Sequence, residues 1–468
     1  MDDKDAIIAT QEERIQQLVK QVIDLQKLVE ELRDEIARLK KNSSNSSKPP
    51  SSDIVKPPKA RTKGKRKSGG QPGRRKCSRQ LFPPEQVDQT IIHELPVDEV
   101  SRRGLTPLEE TKITLQQVEL PEKLFRIIEH RVRLYRKPNG QIISARIPKA
   151  IRKSGFFTPR MHALAGYLKA RCHMSYSTIR TFLSDVAGLD VSTGLLCNSC
   201  TRKVGPALQE AYVQVATEIR NAAIVGTDET GHNNSGSLAW TWCQRSENVI
   251  FFHIDDSRGS KVLFEILGQD FGGIVMADFF SANRKFVREA GVLVQYCWSH
   301  LIREIRSLGE SVYSSVRRWA KTLEELIRAM FRLWHARAER DPKRWAIGMA
   351  KWKQAFLRKV SRPPDYDDAI NLKKRFLGRA AHSYFLFLEV NGVEPTNNAT
   401  EQAIRHVVID RRVTQGTRSW WGMRFCERAW TVAATCRLHN QSVFQFFCDA
   451  LLATFGDTQY PTLIPENR

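Results

Sequence analysis

The strongest constraint on the fold is the order of elements predicted between residues 222 and 296. Apolar, β-branched runs alternate there with helical patterns, and runs of this length are typical of buried strands. The predicted order is three strands, a helix, a strand, a helix and a strand. These elements fall, in that order, at residues 222–227, 238–244, 248–254, 261–267, 273–277, 283–290 and 292–296.

Two acidic residues follow strands of this series. Asp228 comes directly after the first strand and Asp278 directly after the fourth. The succession is typical of a ribonuclease-H-like sheet, in which the first and fourth strands are central neighbours, so the two acids should converge. An Asp after a strand is usually a turn or cap residue. The prediction therefore depends on the pair in this order of elements.

A third acid, Glu401, lies in a helix predicted after Asn397 and Asn398, beyond a long helical insertion. Three carboxylates on two strands and a helix can hold two metal ions about 4 Å apart, the arrangement used for in-line displacement at a phosphodiester. Oxygen ligands favour Mg²⁺ or Mn²⁺ over zinc. The sequence thus predicts Asp228, Asp278 and Glu401 as catalytic metal ligands.

The charge balance indicates a polyanionic partner. Lys and Arg total 74 against 51 Asp and Glu, a net charge of +23. Residues 41–80 hold thirteen of the basic residues and one acid, in a Ser/Asn/Pro-rich segment too polar to fold by burial. The segment is either a solvated linker or a basic arm that binds DNA phosphates, and both can hold together. Its candidate contacts are Lys63, Lys65, Arg66, Lys67, Arg74, Arg75 and Lys76.

A heptad repeat occupies residues 8–40. Its apolar positions are Ile15, Leu18, Val22, Leu25, Val29, Leu32, Ile36 and Leu39. β-Branched residues at every a position and Leu at every d position favour a parallel two-stranded coiled coil. The alternative is one amphipathic helix that packs on its own domain, but the polar segment that follows favours a homodimer, with higher order on DNA left open.

Residues 81–155 are predicted to be strand-rich, with alternation at 125–136 and a turn at Pro138–Gly140. Two helices follow at 176–186 and 192–204 around a Gly-containing turn, an arrangement of either a DNA-binding helix-turn-helix or an ordinary helical hairpin. Cys197 and Cys200 are best interpreted as reduced helix-face thiols, because a lone CxxC is a weak zinc signal.

Several classes of protein are excluded by the sequence. No apolar run approaches the length needed to span a bilayer, and the polar start Met1–Asp5 does not resemble a signal peptide. Nine unclustered cysteines predict no disulfide framework. We therefore expect a cytoplasmic protein with no membrane partner.

The segments that carry the acids resemble the insertion-sequence-66 type of transposase, a family of Asp-Asp-Glu transposases. The resemblance lies in Asp228-Glu229-Thr230, Asp278, the Cys-Trp-x-His-x-x-Arg stretch at 297–303 and the Asn-Asn-x-x-Glu-x-x-x-Arg block at 397–405. It extends over nearly the whole chain. It implies a bacterial, nucleoid-associated enzyme that cuts and joins double-stranded DNA at element ends and target, with two metal ions and companion proteins of the same element.

Two departures from the family pattern bear on the cofactors. No cysteine lies between Cys77 and Cys172, where family members carry paired CxxC knuckles, so no zinc is predicted. Phe279-Phe280 after the second acid replaces the family's usual Gly-Tyr pair and changes packing without removing a ligand.

Four further residues are weaker candidates. Arg258 and Arg405 could contact phosphate or form surface salt bridges. His300 could orient a phosphate or a metal-bound carboxylate, or be a structural residue at a helix start. Asn398 is a second auxiliary candidate.

Two other functions remain open. One is a ribonuclease-H-like nuclease or resolvase without strand transfer, and the other is a non-catalytic dimeric DNA-binding regulator.

The predicted fold class is multidomain α+β. The predicted domains are a coiled coil (1–40), a basic linker or arm (41–80), a small strand-rich domain at the zinc-knuckle position (81–155), a helix-turn-helix-like region (156–215), a ribonuclease-H-like catalytic domain (216–307 and 391–415), its helical insertion (308–390) and a C-terminal helical region (416–468).

Overall fold

A computed structural model of the chain describes residues 2–39, 81–106, 108, 115–456 and 458–464. Of these, residues 81–106, 108 and 115–129 form a small compact unit, and the others belong to a larger one. The basic segment at 41–80 lies outside the described residues. So do its predicted phosphate contacts Lys63, Lys65, Arg66, Lys67, Arg74, Arg75 and Lys76.

The heptads lie in one long helix, α1 (Asp2–Leu39). The a and d residues from Ile15 to Ile36 are between 45% and 60% exposed. Apolar side chains on one stripe of a helix are normally buried against a partner. In the described part of the chain, nothing covers this stripe.

The prediction of a strand-rich region over 81–155 is wrong in extent. The small unit has a 3₁₀ turn (Pro84–Gln86) and helix α2 (Val97–Arg103). The strands described in the region are β1 (Leu134–Arg136) and β2 (Ile142–Ser144), an antiparallel hairpin around the predicted turn. The alternation at 125–136 has no core to face, since Ile127 is 87% exposed.

Short helices fill residues 149–221. They are α3 (Lys149–Ser154), α4 (Pro159–Ala170), α5 (Tyr176–Ala187), α6 (Thr193–Asn198), a π-helical stretch (Ser199–Val204), α7 (Gly205–Ala207) and α8 (Gln209–Asn221). The turn between α5 and α6 has the expected local chemistry. Gly188 ends α5 in the left-handed conformation, and Ser192 caps α6 by accepting the Leu195 N–H.

A five-stranded sheet organises the larger unit. Its strands are β3 (Ile224–Asn234), β4 (Ser237–Arg245), β5 (Ile250–Asp255), β6 (Ile274–Ala277) and β7 (Val294–Tyr296), with α9 (Ser260–Leu267) and α10 (Ser281–Ala290) between the later strands. The order across the sheet is β5-β4-β3-β6-β7. The first three strands are antiparallel, and β3, β6 and β7 are parallel. The predicted pairing of the first and fourth strands is confirmed.

The segment between β7 and the third acid is helical. It comprises α11 (Trp298–Gly309), α12 (Ser314–His335), α13 (Pro342–Val360) and α14 (Asp367–Leu377), with 3₁₀ turns at Arg337–Glu339, His382–Tyr384 and Leu386–Leu388. Trp319 and Trp334 of α12 lie in its buried face, as their helical spacing predicts. In the described residues, no helix has the length and hydropathy needed to cross a bilayer.

Three C-terminal helices complete the larger unit: α15 (Asn398–Thr414), α16 (Trp420–Leu438) and α17 (Val443–Gly456). α16 covers the edge strand β5. Its Thr435, Thr431 and Glu427 accept the free N–H groups of Ile250, Phe252 and Ile254 at 3.2, 3.0 and 2.5 Å. The three acceptors are four residues apart on the helix, a rise of about 6 Å, and the three donors are two residues apart on the strand, a rise of about 6.6 Å. The acceptors and donors therefore stay opposite one another. This pairing satisfies an edge that would otherwise be open.

Candidate active site

The first acid lies inside a strand. β3 was expected to end at residue 227, but its hairpin with β4 extends to the Asn234–Ser237 pair, so Asp228 stands opposite Cys243 in the ladder. The parallel pairing of β3 with β6 covers only Ile224 to Gly226. Asp228 therefore lies just past the parallel part of the sheet.

The second acid, Asp278, directly follows β6 at the same end of the parallel pairing. The Phe280 N–H and the Asn283 side-chain amide donate to its Oδ1 at 3.0 and 2.7 Å. Both donors come from the start of α10, which begins at Ser281. The helix therefore fixes the orientation of the Asp278 carboxylate.

The third acid reaches the sheet because the start of α15 is anchored on β3. Asn397 is buried, and its side-chain amide donates to the Thr227 carbonyl at 2.8 Å, one residue before Asp228. Its backbone N–H contacts Cys297 Sγ at 3.2 Å. These bonds place Glu401, in the first turn of α15, near the ends of β3 and β6.

A glycine permits this close approach. A Cβ added at Gly226 would collide with Thr400 Oγ1 and would lie 2.6 Å from Asn397 Oδ1. Gly226 is therefore required for α15 to lie directly on β3.

The electrostatics show that the acids converge. Burial raises the pKa of Asp228 well above its usual value, and the charges of Glu229, Glu401 and Asp278 raise it further. Glu229, the residue after Asp228, belongs to the same cluster. Burial and Asp278 raise the pKa of Glu229 to about 7, and Arg258 opposes the shift. Four carboxylates therefore interact at this place in the fold.

Arg258 holds Glu229. Its Nε and Nη2 donate to Glu229 Oε1 at 2.9 and 2.7 Å, and the Glu229 side chain is only 4% exposed. The guanidinium lies between the rings of Trp240 and Phe280, 4.4 and 4.1 Å from their centroids. Arg258 was predicted either to contact phosphate or to form a salt bridge. In the structure it forms a salt bridge with Glu229, and Phe280 packs against its guanidinium group.

Glu401 faces His300 and Arg303 of α11. Its carboxylate lies 3.6 Å from His300 Nδ1 and 3.4 Å from Arg303 Nη2. Burial lowers the pKa of His300 and the charge of Glu401 opposes this. Glu401 Oε1 and His300 Nδ1 are buried without a hydrogen-bond partner in the described part of the chain.

The donor set fits divalent metal ions. Asp228, Asp278 and Glu401 offer oxygen ligands alone, and a positive ion would relieve the repulsion that adds to the effect of burial on the pKa of Asp228. Glu401 Oε1, buried and unpaired, could serve as a ligand. Among the described residues, two other sets of side chains bring their potential ligand atoms within 4.8 Å of one another. One set is Cys297, His300 and Glu401, and the other is His253, Asp255 and Glu265.

The first of these sets shares Glu401 with the acid cluster, and its chemistry is mixed sulfur, nitrogen and oxygen. Burial and the charge of Glu401 raise the pKa of the Cys297 thiol to about 11, so it is protonated at neutral pH. The Cys297 Sγ also accepts the Asn397 N–H. Cys297 therefore supports the anchor of α15.

The remaining predicted residues lie on α15. Arg405 is exposed one turn after Glu401. Asn398 Oδ1 accepts the Ser299 hydroxyl at 3.0 Å, which joins the start of α15 to α11. The contacts that sequence reasoning did not assign are those of Asn283, Arg303 and Asn397. Arg303 and Asn397 lie in the motif stretches, which was the available signal.

Two family models match the chain. A model described as the transposase IS66 family matches residues 154–425, a range that holds all three acids and more than half of the chain. A family of unknown function, DUF6444, matches residues 3–80, which include the heptads and the basic segment. No curated protein matches the chain.

Proposed function

The chain belongs to the transposase IS66 family, and we propose that it binds the ends of an insertion sequence and cuts and joins DNA strands at Asp228, Asp278 and Glu401. The observation that carries this proposal is geometric: Asp228 and Asp278 lie at the same end of the β3–β6 pairing, and Asn397 bonds the start of α15, which bears Glu401, to Thr227 of β3. Acids from two strands and a helix meet there, at residues far apart in the sequence.

The sheet supports a ribonuclease-H-like catalytic domain. Its order β5-β4-β3-β6-β7 makes the first and fourth strands neighbours, with one acid inside the first and one directly after the fourth. When bound, two Mg²⁺ or Mn²⁺ ions activate the attacking water or 3′-hydroxyl and stabilise the leaving oxygen. Asp228, Asp278 and Glu401 would hold them.

The surrounding residues position these ligands. Asn283 fixes Asp278 through a 2.7 Å hydrogen bond, and Arg303 contacts Glu401 at 3.4 Å. Arg258 neutralises Glu229, so that this fourth carboxylate adds less repulsion to the cleft. His300, uncharged because burial lowers its pKa, can accept or donate a hydrogen bond beside Glu401.

DNA would be held by other parts of the chain. The basic segment at 41–80 supplies a sequence-independent grip on phosphate, and the helices α5 and α6 form the helix-turn-helix-like region. Arg405 lies exposed beside the acids. Paired α1 helices would bury their half-exposed apolar stripe and make a homodimer. Assembly of higher order on DNA and companion proteins of the element are further partners of this proposal.

The test uses the purified full-length chain, Mg²⁺, a target plasmid and labelled duplex DNA with the sequences that flank the gene. Asp228→Asn, Asp278→Asn and Glu401→Gln should each abolish strand cleavage and leave DNA binding nearly unchanged. The matched control is Glu247→Gln, an exposed acid of the β4–β5 turn, which should retain activity.

The products separate the possible functions. Joined products support a transposase, whereas nicks alone indicate a nuclease without strand transfer. Binding that persists in EDTA, with no strand broken under any condition, would indicate a non-catalytic regulator. Cleavage by any one of the three variants would remove that acid from the proposed site.

A further inference from the structure

Two adjacent tryptophans at the start of α16 are unusually exposed. Trp420 is 52% exposed and Trp421 38%. In contrast, Trp242, Trp298 and Trp430 are almost completely buried in the larger unit. Trp is enriched at interaction surfaces, and neighbouring exposed apolar side chains can mark such a surface.

The segment that carries the pair is well anchored. Thr417 Oγ1 bonds His232 Nε2 and Asn234 Oδ1, each at 3.0 Å, at the far end of β3. Ser419 caps α16 by accepting the Gly422 N–H at 3.1 Å. The two indoles stand at 86° with their centroids 4.8 Å apart. The pair is therefore held in place without being buried.

Guanidinium groups accompany both rings. Arg202, in the π-helical stretch after α6, lies 4.0 Å above Trp421. Arg424 lies 5.6 Å from Trp420, and its Nη2 donates to the Ile254 carbonyl. Arg418, two residues before Trp420, is exposed. Aromatic faces interleaved with arginines are typical of surfaces that bind single-stranded nucleic acid.

A row of arginines connects this pair to the acids. Arg405 and Arg412 lie seven residues apart on the exposed face of α15, and Arg418 follows the helix. None of the three has a hydrogen bond or ion pair in the described part of the chain. The exposed residues of α15 include no acid: they are Asn398, Ala399, Gln402, Arg405, Ile409, Arg412 and Val413.

The length of the row can be compared with the repeat of a DNA duplex. Seven residues of α-helix rise about 10.5 Å, about the length over which a duplex advances three base pairs along its axis, at about 3.4 Å each. From Glu401 to Arg412 the rise is about 16 Å. The row therefore extends away from the acids and towards the segment with Trp420.

We propose that Arg405, Arg412 and Arg418 carry a DNA strand away from the acids and that an unpaired base of this strand stacks on Trp420. The inference rests on the proposed function. It specifies the path of the DNA strand beyond the acids and the position of an unpaired base. An open indole face takes a base that has left the duplex stack, because a paired base inside the duplex has both faces covered. Trp421, covered by Arg202, braces Trp420.

The test compares two probes with the full-length protein by fluorescence anisotropy: blunt duplex DNA and the same duplex with a short oligothymidine overhang. Trp420→Leu keeps apolar surface but removes the π face, and it should weaken binding of the overhang probe about 5- to 150-fold. Trp420→Phe should retain most of the affinity. Binding of the blunt probe should change little in either variant.

Two further measurements strengthen the test. Arg412→Gln and Arg418→Gln should each lower the salt dependence of binding by about one phosphate contact. Tyr135→Leu, at an aromatic residue of β1 that is 53% exposed and lies outside this surface and outside the helix-turn-helix-like region, should leave both affinities unchanged. Far-UV circular dichroism checks that each variant is folded.

The outcomes are distinct. If the Leu and Phe variants bind the overhang probe as the wild type does, the inference is overturned while the proposed DNA function stands. If instead Trp420→Leu lowers the oligomeric mass in light scattering with both affinities unchanged, the surface joins protein chains and the inference is also overturned. A wild type that binds neither probe would remove the proposed function itself.

Discussion

The contact between α15 and β3 gives a sharp test of how the site is assembled. Gly226→Ala adds a single methyl group beneath the start of α15. The new Cβ would lie 2.6 Å from Asn397 Oδ1, against the 3.4 Å at which ordinary contacts begin, and closer still to Thr400 Oγ1. The start of the helix must therefore shift by about 0.8 Å or more.

Two effects follow from that shift. Overpacking of this kind costs about 1–3 kcal/mol of unfolding free energy, offset in part by the lower backbone entropy of Ala in the unfolded chain. The shift also moves Glu401 relative to Asp228, and misplacement by about 1 Å can lower a catalytic rate on the order of 100-fold. We expect Gly226→Ala to bind DNA normally and to cleave it about 100-fold more slowly.

The assays are urea denaturation and Mg²⁺-dependent cleavage of end DNA by the purified chain. Gly272→Ala is the matched control, because its Cβ would meet nothing within 4 Å. Thr400→Ala in the Gly226→Ala background removes the closest atom and should restore part of the rate, a coupling that contacting residues show. Wild-type cleavage and stability in Gly226→Ala would refute the claim that this contact positions Glu401.

Three other predictions concern the acids, the anchor and the helix α1. Burial and Asp278 raise the pKa of Glu229 from 4.5 to about 7. The folded protein therefore binds this proton more tightly than the unfolded chain does. In EDTA, the contribution of Glu229 to the free energy of unfolding should fall by about 3 kcal/mol as pH rises from below 4.5 to above 7. Urea denaturation of the wild type and Glu229→Gln across pH measures this, and a difference that does not change with pH contradicts it. Asn397→Ala leaves the buried Thr227 carbonyl without its side-chain donor and should lower the free energy of unfolding, measured in urea, by about 1–3 kcal/mol. Asn398→Ala, at an exposed residue, should lower it less. Equal losses in the two variants would argue against the anchor. Leu25→Glu places a charge in the exposed apolar stripe of α1 and should convert a dimer into a monomer in light scattering, whereas a monomeric wild type would show that the heptads do not pair.

The candidate site was predictable where local patterns carry it. Asp228 and Asp278 were found because each follows an apolar run, and Glu401 because it lies in a helix after Asn397. The participation of Glu229 was harder to predict, because adjacent strand residues face opposite sides. Asp278 lies past the last paired residue of β6 and interacts with both Asp228 and Glu229.

Exposure marks a second limit of sequence reasoning. The tryptophans of α12, Trp319 and Trp334, follow a helical spacing and lie in the buried face of the helix. Trp420 and Trp421 are no less apolar, but they are exposed because the segment before them is held at the end of β3. Residue type and spacing do not report whether another element covers a side chain.

The sequence by itself determined the order of strands and helices, the heptad stripe and the three acids, because each depends on residue type and on periodicity along one stretch of chain. The strand-rich prediction for 81–155 failed because alternation alone does not supply a surface to bury against. Only the tertiary structure decided that Gly226 admits α15 onto β3, that Arg258 neutralises Glu229 and that an arginine row leads to Trp420. Those facts depend on distances between segments that are far apart along the chain.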